Sequence, residues 1–208
     1  IIILDNSNDL QLKEKIKRVY PHIIFILSKK NNGYGAGNNK IFRLAKTSHV
    51  LVLNPDTILS RNCIKELIYQ ANLIKNKFAI LAPCEKNIIK KEIMEVDHVK
   101  GFSMLVNLSK IKKIKMFDEN FFLYLEEIDL CKRLKSASEK IYICGKAKIT
   151  HLSAKSSNIG FEFEKCRNWH WMWSKVYYNK KHKSFFYAFR DAFLTILFNY
   201  TKGILFYL

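Results

Sequence analysis

The chain has 208 residues, 49% hydrophobic and 26% charged, with 36 Lys+Arg against 18 Asp+Glu and a formal net charge of +18. That length suits one domain, or one domain with a small appendage, hiding roughly 70% of its unfolded surface, and the composition excludes a disordered chain. So basic a surface calls for anionic partners, yet nucleic acid is disfavoured, because the lysines are scattered and no zinc-finger spacing, RGG tract or RNP-like aromatic motif is present.

Read in chain order, Ile1 to Leu4 is an apolar run ending in Asp-Asn-Ser, a buried strand meeting a loop. Leu10 to Val19 has helical spacing, with Asp9 placed to cap it. Ile23 to Leu27 reads as a second strand, followed by a turn-rich stretch from Asn31 to Asn39 and a short helix through Ile41 and Leu44. Val50 to Leu53 is a third strand, halted by Asn54-Pro55-Asp56. A helix is expected over Ile64 to Ile74 and a strand over Phe78 to Ala82. Strands alternating with helices predict an α/β protein with a mostly parallel sheet, its ligands beyond the strands' carboxyl ends.

The second half is less regular. Val96 to Val106 predicts a strand around Gly101, and Phe117 to Leu125 an aromatic loop leading into a helix that runs to about Leu134. Two short strands are expected at Ile141 to Cys144 and Ala147 to Ile149. From residue 166 the composition turns aromatic and basic, which predicts a helical extension over 166–208 beyond a main domain of 1–165. Its last stretch, Ala192 to Leu208, is interrupted by Asn199 and Lys202. That is short for a membrane span of about 20 residues and suits an interfacial helix or one packed on the domain. The five cysteines, odd in number and without CxxC spacing, read as buried thiols of a reducing cytosol. No secretory signal is visible. Because the chain opens at Ile1 inside an apolar run, its natural N-terminus is expected to lie upstream.

Clustered carboxylates beside apolar runs need a reason in so basic a chain. Asp56, held at a strand end by Pro55, suits a divalent cation shared with diphosphate oxygens, or equally a turn that caps the next helix. Asp5 is placed either to accept hydrogen bonds from a nucleobase or ribose or, with Asp9, to serve the cap of the helix that begins near Leu10. Gly33, Gly35 and Gly37 lack the dinucleotide-binding spacing but would bare backbone N–H groups, unless they form a plain turn. Glu126, Glu127 and Asp129 occupy a first helical turn, where the macrodipole favours acids. The aromatic residues before them would raise a carboxylate toward the range of a general base. His151 ends a strand, as either a structural histidine or a metal ligand.

In order and spacing these stations resemble the family 2 glycosyltransferases, particularly the bacterial rhamnosyltransferase-like group. The matching residues are Asp5-Asn6-Ser7-x-Asp9, Asn31-x-Gly33-Tyr34-x-x-Gly37-Asn38-Asn39, Asn54-Pro55-Asp56, Gly101, the run from Phe117 to Leu134, then His151 and Ser156. The resemblance covers about residues 1–157. It implies a GT-A fold and inverting transfer of a sugar, rhamnose for instance, from a nucleotide diphosphate to a cell-surface saccharide or lipid-linked acceptor such as an O-antigen precursor. Carried over, Asp5, Asn31, Gly33, Asn38, Asn39, Asn54 and Asp56 would bind the donor. Asp56 and His151 would hold Mg²⁺ or Mn²⁺, and Glu127 beside Glu126 would be the general base.

Two departures stand out. The family's opening strand is absent before Ile1, which would leave the sheet without a central strand. The usual Glu-Asp pair is Glu126-Glu127 here, and roughly 1 Å of displacement can cost about a hundredfold in rate. The alternative is therefore a catalytically degenerate nucleotide-binding or membrane-docking protein of the same fold. In either case the expected location is cytoplasmic, peripheral to an anionic inner membrane face.

Overall fold

The computed structural model describes residues 1–75, 77–85, 91–152 and 160–207. Ser156 and Leu208 lie outside them. Strands β1 (Ile2–Asp5) and β2 (Ile24–Leu27) pair in parallel across helix α1 (Leu10–Val19). As expected, the Asp9 carboxylate caps α1, accepting the Leu12 N–H at 3.0 Å. Then follow α2 (Tyr34–Leu44), β3 (His49–Leu53), β4 (Thr57–Leu59), α3 (Cys63–Leu73), β5 (Ile80–Glu85) and β6 (Ile93–Glu95). The rest is β7 (Ser103–Asn107), α4 (Leu108–Lys113), α5 (Glu126–Ser136), β8 (Ile141–His151), α6 (Phe161–His182) and α7 (Phe185–Tyr207).

The larger sheet has the order β3-β7-β5-β8-β4, with β6 also on β8, and it is separate from the β1–β2 pair. Side chains alternate across it, as strand geometry requires. Ile80, Ala82, Met104 and Val106 face Phe42 of α2 and Leu130 and Leu134 of α5. On the opposite face Leu81, Cys144 and Ala147 meet Cys63, Leu67 and Ala71 of α3. Two apolar layers thus hold helices against both sides of one sheet.

Several expectations are corrected. The sheet is mixed and not mostly parallel: β1–β2 and β5–β8 are parallel, while β3–β7, β5–β7, β4–β8 and β6–β8 are antiparallel. Among the described residues no helix joins β5 to β7, and a strand that returns without a crossover lies antiparallel. The two short strands expected at 141–149 are one, running through Gly145 to His151. The strand around Gly101 forms only from Ser103, and β4 and α4 had no separate sequence signal. The helical extension expected over 166–208 is helical throughout its described length apart from the turn between α6 and α7, with α6 beginning at Phe161.

Candidate functional site

Between β1 and β3 lies a cleft of about 830 Å³, lined by Leu4, Asp5 and Asn6 on one side and by Asn54 and Pro55 on the other. Asp5 ends β1 at its rim. Oδ1 of Asp5 accepts the Ser7 N–H at 2.9 Å and the Ser7 hydroxyl at 2.6 Å, and Oδ2 accepts the Asp9 N–H at 2.8 Å. Burial pushes this carboxyl up, but the hydrogen bonds outweigh it and hold the group below its usual range. Asp5 is therefore an anion that closes its own loop at the mouth of the cleft.

The glycine-rich segment differs from the expected open loop. Helix α2 begins at Tyr34 and absorbs Gly35 and Gly37. Gly33 has φ +84, and a Cβ there would lie 2.2 Å from the Phe122 carbonyl oxygen, so only glycine fits. That approach lets the Tyr34 N–H donate to Phe122 O at 3.0 Å, tying α2 to the aromatic loop before α5. At Gly35 and Gly37 the approach is looser, a Cβ there lying 3.2 Å from Phe117 Cβ and 3.3 Å from Leu4 Cδ2. The glycines thus serve packing, and Gly35 and Gly37 stand in the first turn of a helix, where the Gly37 N–H donates to Gly33 O at 3.2 Å.

The asparagines divide. Asn31 accepts the Gly33 N–H and shapes the turn, and Asn38 donates to Tyr34 O while lining the cleft. Asn39, expected in the nucleotide pocket, is instead buried. Its amide donates to Phe117 O and Glu119 and accepts the Phe117 N–H, so its hydrogen-bonding capacity is used inside the fold. Asn54 donates its backbone N–H to Phe102 O at 2.9 Å and accepts the Thr57 hydroxyl at 2.7 Å.

Asp56 is nearly buried and lies beside His151, with Oδ2 to Nε2 at 3.2 Å. The ladder between β4 and β8, which registers Thr57 against His151, brings them together, and the Leu152 N–H donates to Asp56 O. A strand follows Asp56, so it does not cap a helix. One carboxylate and one imidazole fit Mg²⁺ or Mn²⁺ in the way those ions sit beside phosphates, with diphosphate oxygens and water supplying the remaining ligands. Among the described residues no cluster of three metal-ligating side chains exists, so the chain alone offers an incomplete shell.

The ring of His151 stacks on Phe102 at 4.5 Å. One residue earlier, a Cβ on Gly101 would meet the Tyr34 hydroxyl at 3.4 Å and Glu127 Cβ at 3.6 Å. The Tyr34 hydroxyl donates to Gly101 O. Asp56 reaches this segment through His151, which stacks on Phe102, while Glu127 and Tyr34 lie beside Gly101, so both groups border Gly101–Phe102. Tyr34 also lines the nucleotide-sized cleft and joins it to this point.

Burial raises Glu126 to about 8, helped by the negative charge of Glu127, and one of its oxygens is buried without a partner. Glu127 is also raised by burial, against the lowering influence of backbone N–H groups and the neighbouring His98. Burial likewise raises the Tyr34 phenol, with both glutamates adding to it. The helix that presents the glutamates starts after two residues in left-handed conformation, Tyr124 (φ 73) and Leu125 (φ 66). Such backbone costs of order 1–3 kcal/mol per residue and needs surroundings that impose it. Helix α6 supplies them: Arg167 donates to the Tyr124 hydroxyl at 2.7 Å, Ser174 to Leu123 O at 2.7 Å, and His170 stacks on Phe122. The aromatic-basic stretch is thus in part a clamp on the loop that aims the glutamates. Sequence reasoning did not single out His98 or Phe102, neither of which carries a local signal. Tyr34 stood inside a matched motif without an assigned role.

Comparison with known proteins gives this geometry a context. The family model described as "Glycosyl transferase family 2" matches residues 1–137. The low-salt glycan biosynthesis hexosyltransferase Agl10 of Haloferax volcanii is 27% identical over 179 residues, covering 69% of this chain and 55% of its own length. Rhamnosyltransferase WbbL of Escherichia coli is 27% identical over 212 residues, covering 82% of the chain and 78% of its own length. Among solved structures, mannosyltransferase PcManGT from Pyrobaculum calidifontis, in complex with GDP-Man and Mn²⁺, matches with a TM-score of 0.65 at 9% identity, covering 82% of this chain and 52% of that one. GalNAc-T7 with UDP, GalNAc and Mn²⁺ matches at 0.62 and 11% identity, covering 88% and 51%. Identities this low show the fold alone, and that fold is the GT-A type. The chain spans about half the length of these two structures and of Agl10.

Proposed function

This chain belongs to glycosyl transferase family 2, and from that premise we propose that it inverts the anomeric carbon of a sugar while moving it from a nucleotide diphosphate to a saccharide or lipid-linked saccharide. The observation that supports the reading is that Asp56–His151 and Glu127 both border the Gly101–Phe102 segment. The cleft lined by Asp5, Asn38, Asn54 and Pro55 suits the nucleotide, and its diphosphate would then lie toward Asp56, the next residue in the chain. A bound divalent cation would supply positive charge to the departing diphosphate.

The chain's own residues do the rest. Asp56 and His151 hold the leaving side in register, while Glu127 accepts the proton of the attacking hydroxyl. The acceptor oxygen forms the new bond to the anomeric carbon, the bond to the phosphate oxygen breaks, and the diphosphate leaves with the electron pair. A carboxylate raised by burial holds a proton more avidly than an exposed one, which favours a base that works near neutral pH. Rhamnosyl or hexosyl transfer is supported by the relatives, a hexosyltransferase of glycan biosynthesis and a rhamnosyltransferase, and we place that transfer in a cell-surface polysaccharide at the inner face of an anionic membrane.

The test is turnover of a nucleotide-sugar panel by the full-length protein with Mn²⁺ or Mg²⁺. Sugar transfer that Asp56→Asn and Glu127→Gln each abolish supports the reading. The paired glutamates favour a second reading, a nucleotide-binding protein without turnover. Tight nucleotide binding with no transfer to any saccharide acceptor would establish it in place of the first.

A further inference from the structure

The face of α7 turned away from the protein is apolar and uncovered, and it has a chemistry of its own. Phe185, Phe189, Phe193 and Ile196 recur at spacings of four, four and three, so they form one stripe. Phe185 stacks on Phe189 and Phe189 on Phe193, each pair at 6.5 Å between ring centres, and Phe186 packs edge-on against Phe185. Phe186 is 82% exposed, Ile196 67% and Phe189 64%. A contiguous apolar surface of this kind marks a docking site, since scattered single exposures would not line up along a helix.

Charge says what docks there. The one acid among the described side chains of α7, Asp191, is turned inward, where it meets Lys175 at 2.9 Å and Asn179 at 3.2 Å of α6. Ala188 is buried beside it. Cations stand along one border of the stripe, near Tyr187. Lys183 lies 3.8 Å above the Tyr187 ring, Arg190 lies 5.1 Å from it, and Lys180 is exposed one turn earlier. Among the described residues no helix is long and apolar enough to cross a membrane. A phenylalanine stripe bordered by lysine and arginine along one helix face is the pattern of a segment lying in the headgroup layer.

We propose that the outer face of α7 seats in the headgroup layer of an anionic bilayer, Phe185, Phe186, Phe189 and Phe193 entering the acyl boundary and Lys183 and Arg190 meeting lipid phosphates. This deepens the transferase reading by bringing a lipid-linked acceptor to the site, but it rests on α7 alone. Because α6 clamps the loop before α5, the seat would fix the orientation of the catalytic glutamates toward the membrane.

The test is co-sedimentation of the full-length protein with vesicles of phosphatidylcholine alone or mixed with phosphatidylglycerol. The protein is expected to bind the mixed vesicles at least about tenfold more tightly, and rising salt to weaken that binding. The triple variant Phe186→Ser, Phe189→Ser, Phe193→Ser should lose about tenfold or more with its circular dichroism unchanged. Hydrogen exchange on the unsubstituted protein is a second measurement, in which anionic vesicles should slow the α7 amides. Equal binding to both vesicle types, undiminished binding by the triple variant, or unslowed α7 amides would each overturn the proposal. So would a dimer that the triple variant dissociates, which would show a second copy covering the stripe. Turnover is not the readout, so vesicle binding without sugar transfer would leave the seat standing and sink the transferase.

Discussion

Glu127 carries the proposed proton transfer, and its neighbour Glu126 carries the larger perturbation. With one oxygen unpartnered, Glu126 is raised from an ordinary 4.5 to about 8. A carboxyl raised on folding binds protons that the unfolded chain has released, so its presence lowers stability as pH climbs from 4.5 toward 8, and the penalty is constant above that. Glu126→Gln should therefore melt higher than the parent at pH 8 and lose that advantage near pH 4.5, a difference that thermal scans at both values would read. Glu127→Gln should lower kcat by about 10²–10⁴-fold with little change in KM, as removal of a general base does. For the parent, kcat should rise with pH along a limb set by the raised Glu127. Gly33→Ala meets both a left-handed backbone and a carbonyl oxygen 2.2 Å away. It should cost about 2–4 kcal/mol, read as a lower urea midpoint. Asp5 and Asp9 show how little a carboxylate's neighbours in sequence reveal: Asp9 capped its helix as expected, while Asp5 spends both oxygens on its own loop, a use that the preceding strand does not announce.

At the scale of elements, the C-terminal helices are tied to the catalytic helix. Asp129 of α5 is fully buried and meets Arg133 at 2.8 Å, Lys181 at 2.7 Å and His182 at 2.7 Å. Arg133 reaches on to the carbonyls of Ile114 and Met116. Removing a partner from a buried ionic network leaves uncompensated charge, at about 3–5 kcal/mol. Asp129→Ala should accordingly shift the urea midpoint far more than Glu162→Ala on the exposed start of α6. It should also reduce turnover, because α6 would loosen from the loop that imposes the left-handed backbone at Tyr124 and Leu125. A second tie joins Asp118 to the same helix. Burial pushes its carboxyl up, but Lys181, the Asn120 N–H, Tyr177 and the Asn120 side chain outweigh that and hold it at about 2. Periodicity made α1, α3 and α5 legible to within a residue or two. The start of α2 was not legible, because glycines that look like loop formers in sequence are there to let Phe117, Phe122 and Leu4 approach.

For the whole molecule, a net charge of +18 should draw a nucleotide diphosphate toward the cleft. Donor association followed by stopped flow should slow as ionic strength rises, with dissociation changing much less. The α/β class, the rim carboxylates and the family were readable from the chain alone. They depend on local facts: an apolar run makes a strand, a proline ends it, and the residue after it stands at the rim. Only the tertiary structure decided that the sheet is mixed and interrupted between β1 and β3, that His151 lies against Asp56, and that Asn39 serves the core and not the cleft. Those outcomes depend on which distant segments pair and pack. Strand direction follows from the path of the connection, and a side chain's partner follows from register, neither of which is encoded within a window of neighbouring residues.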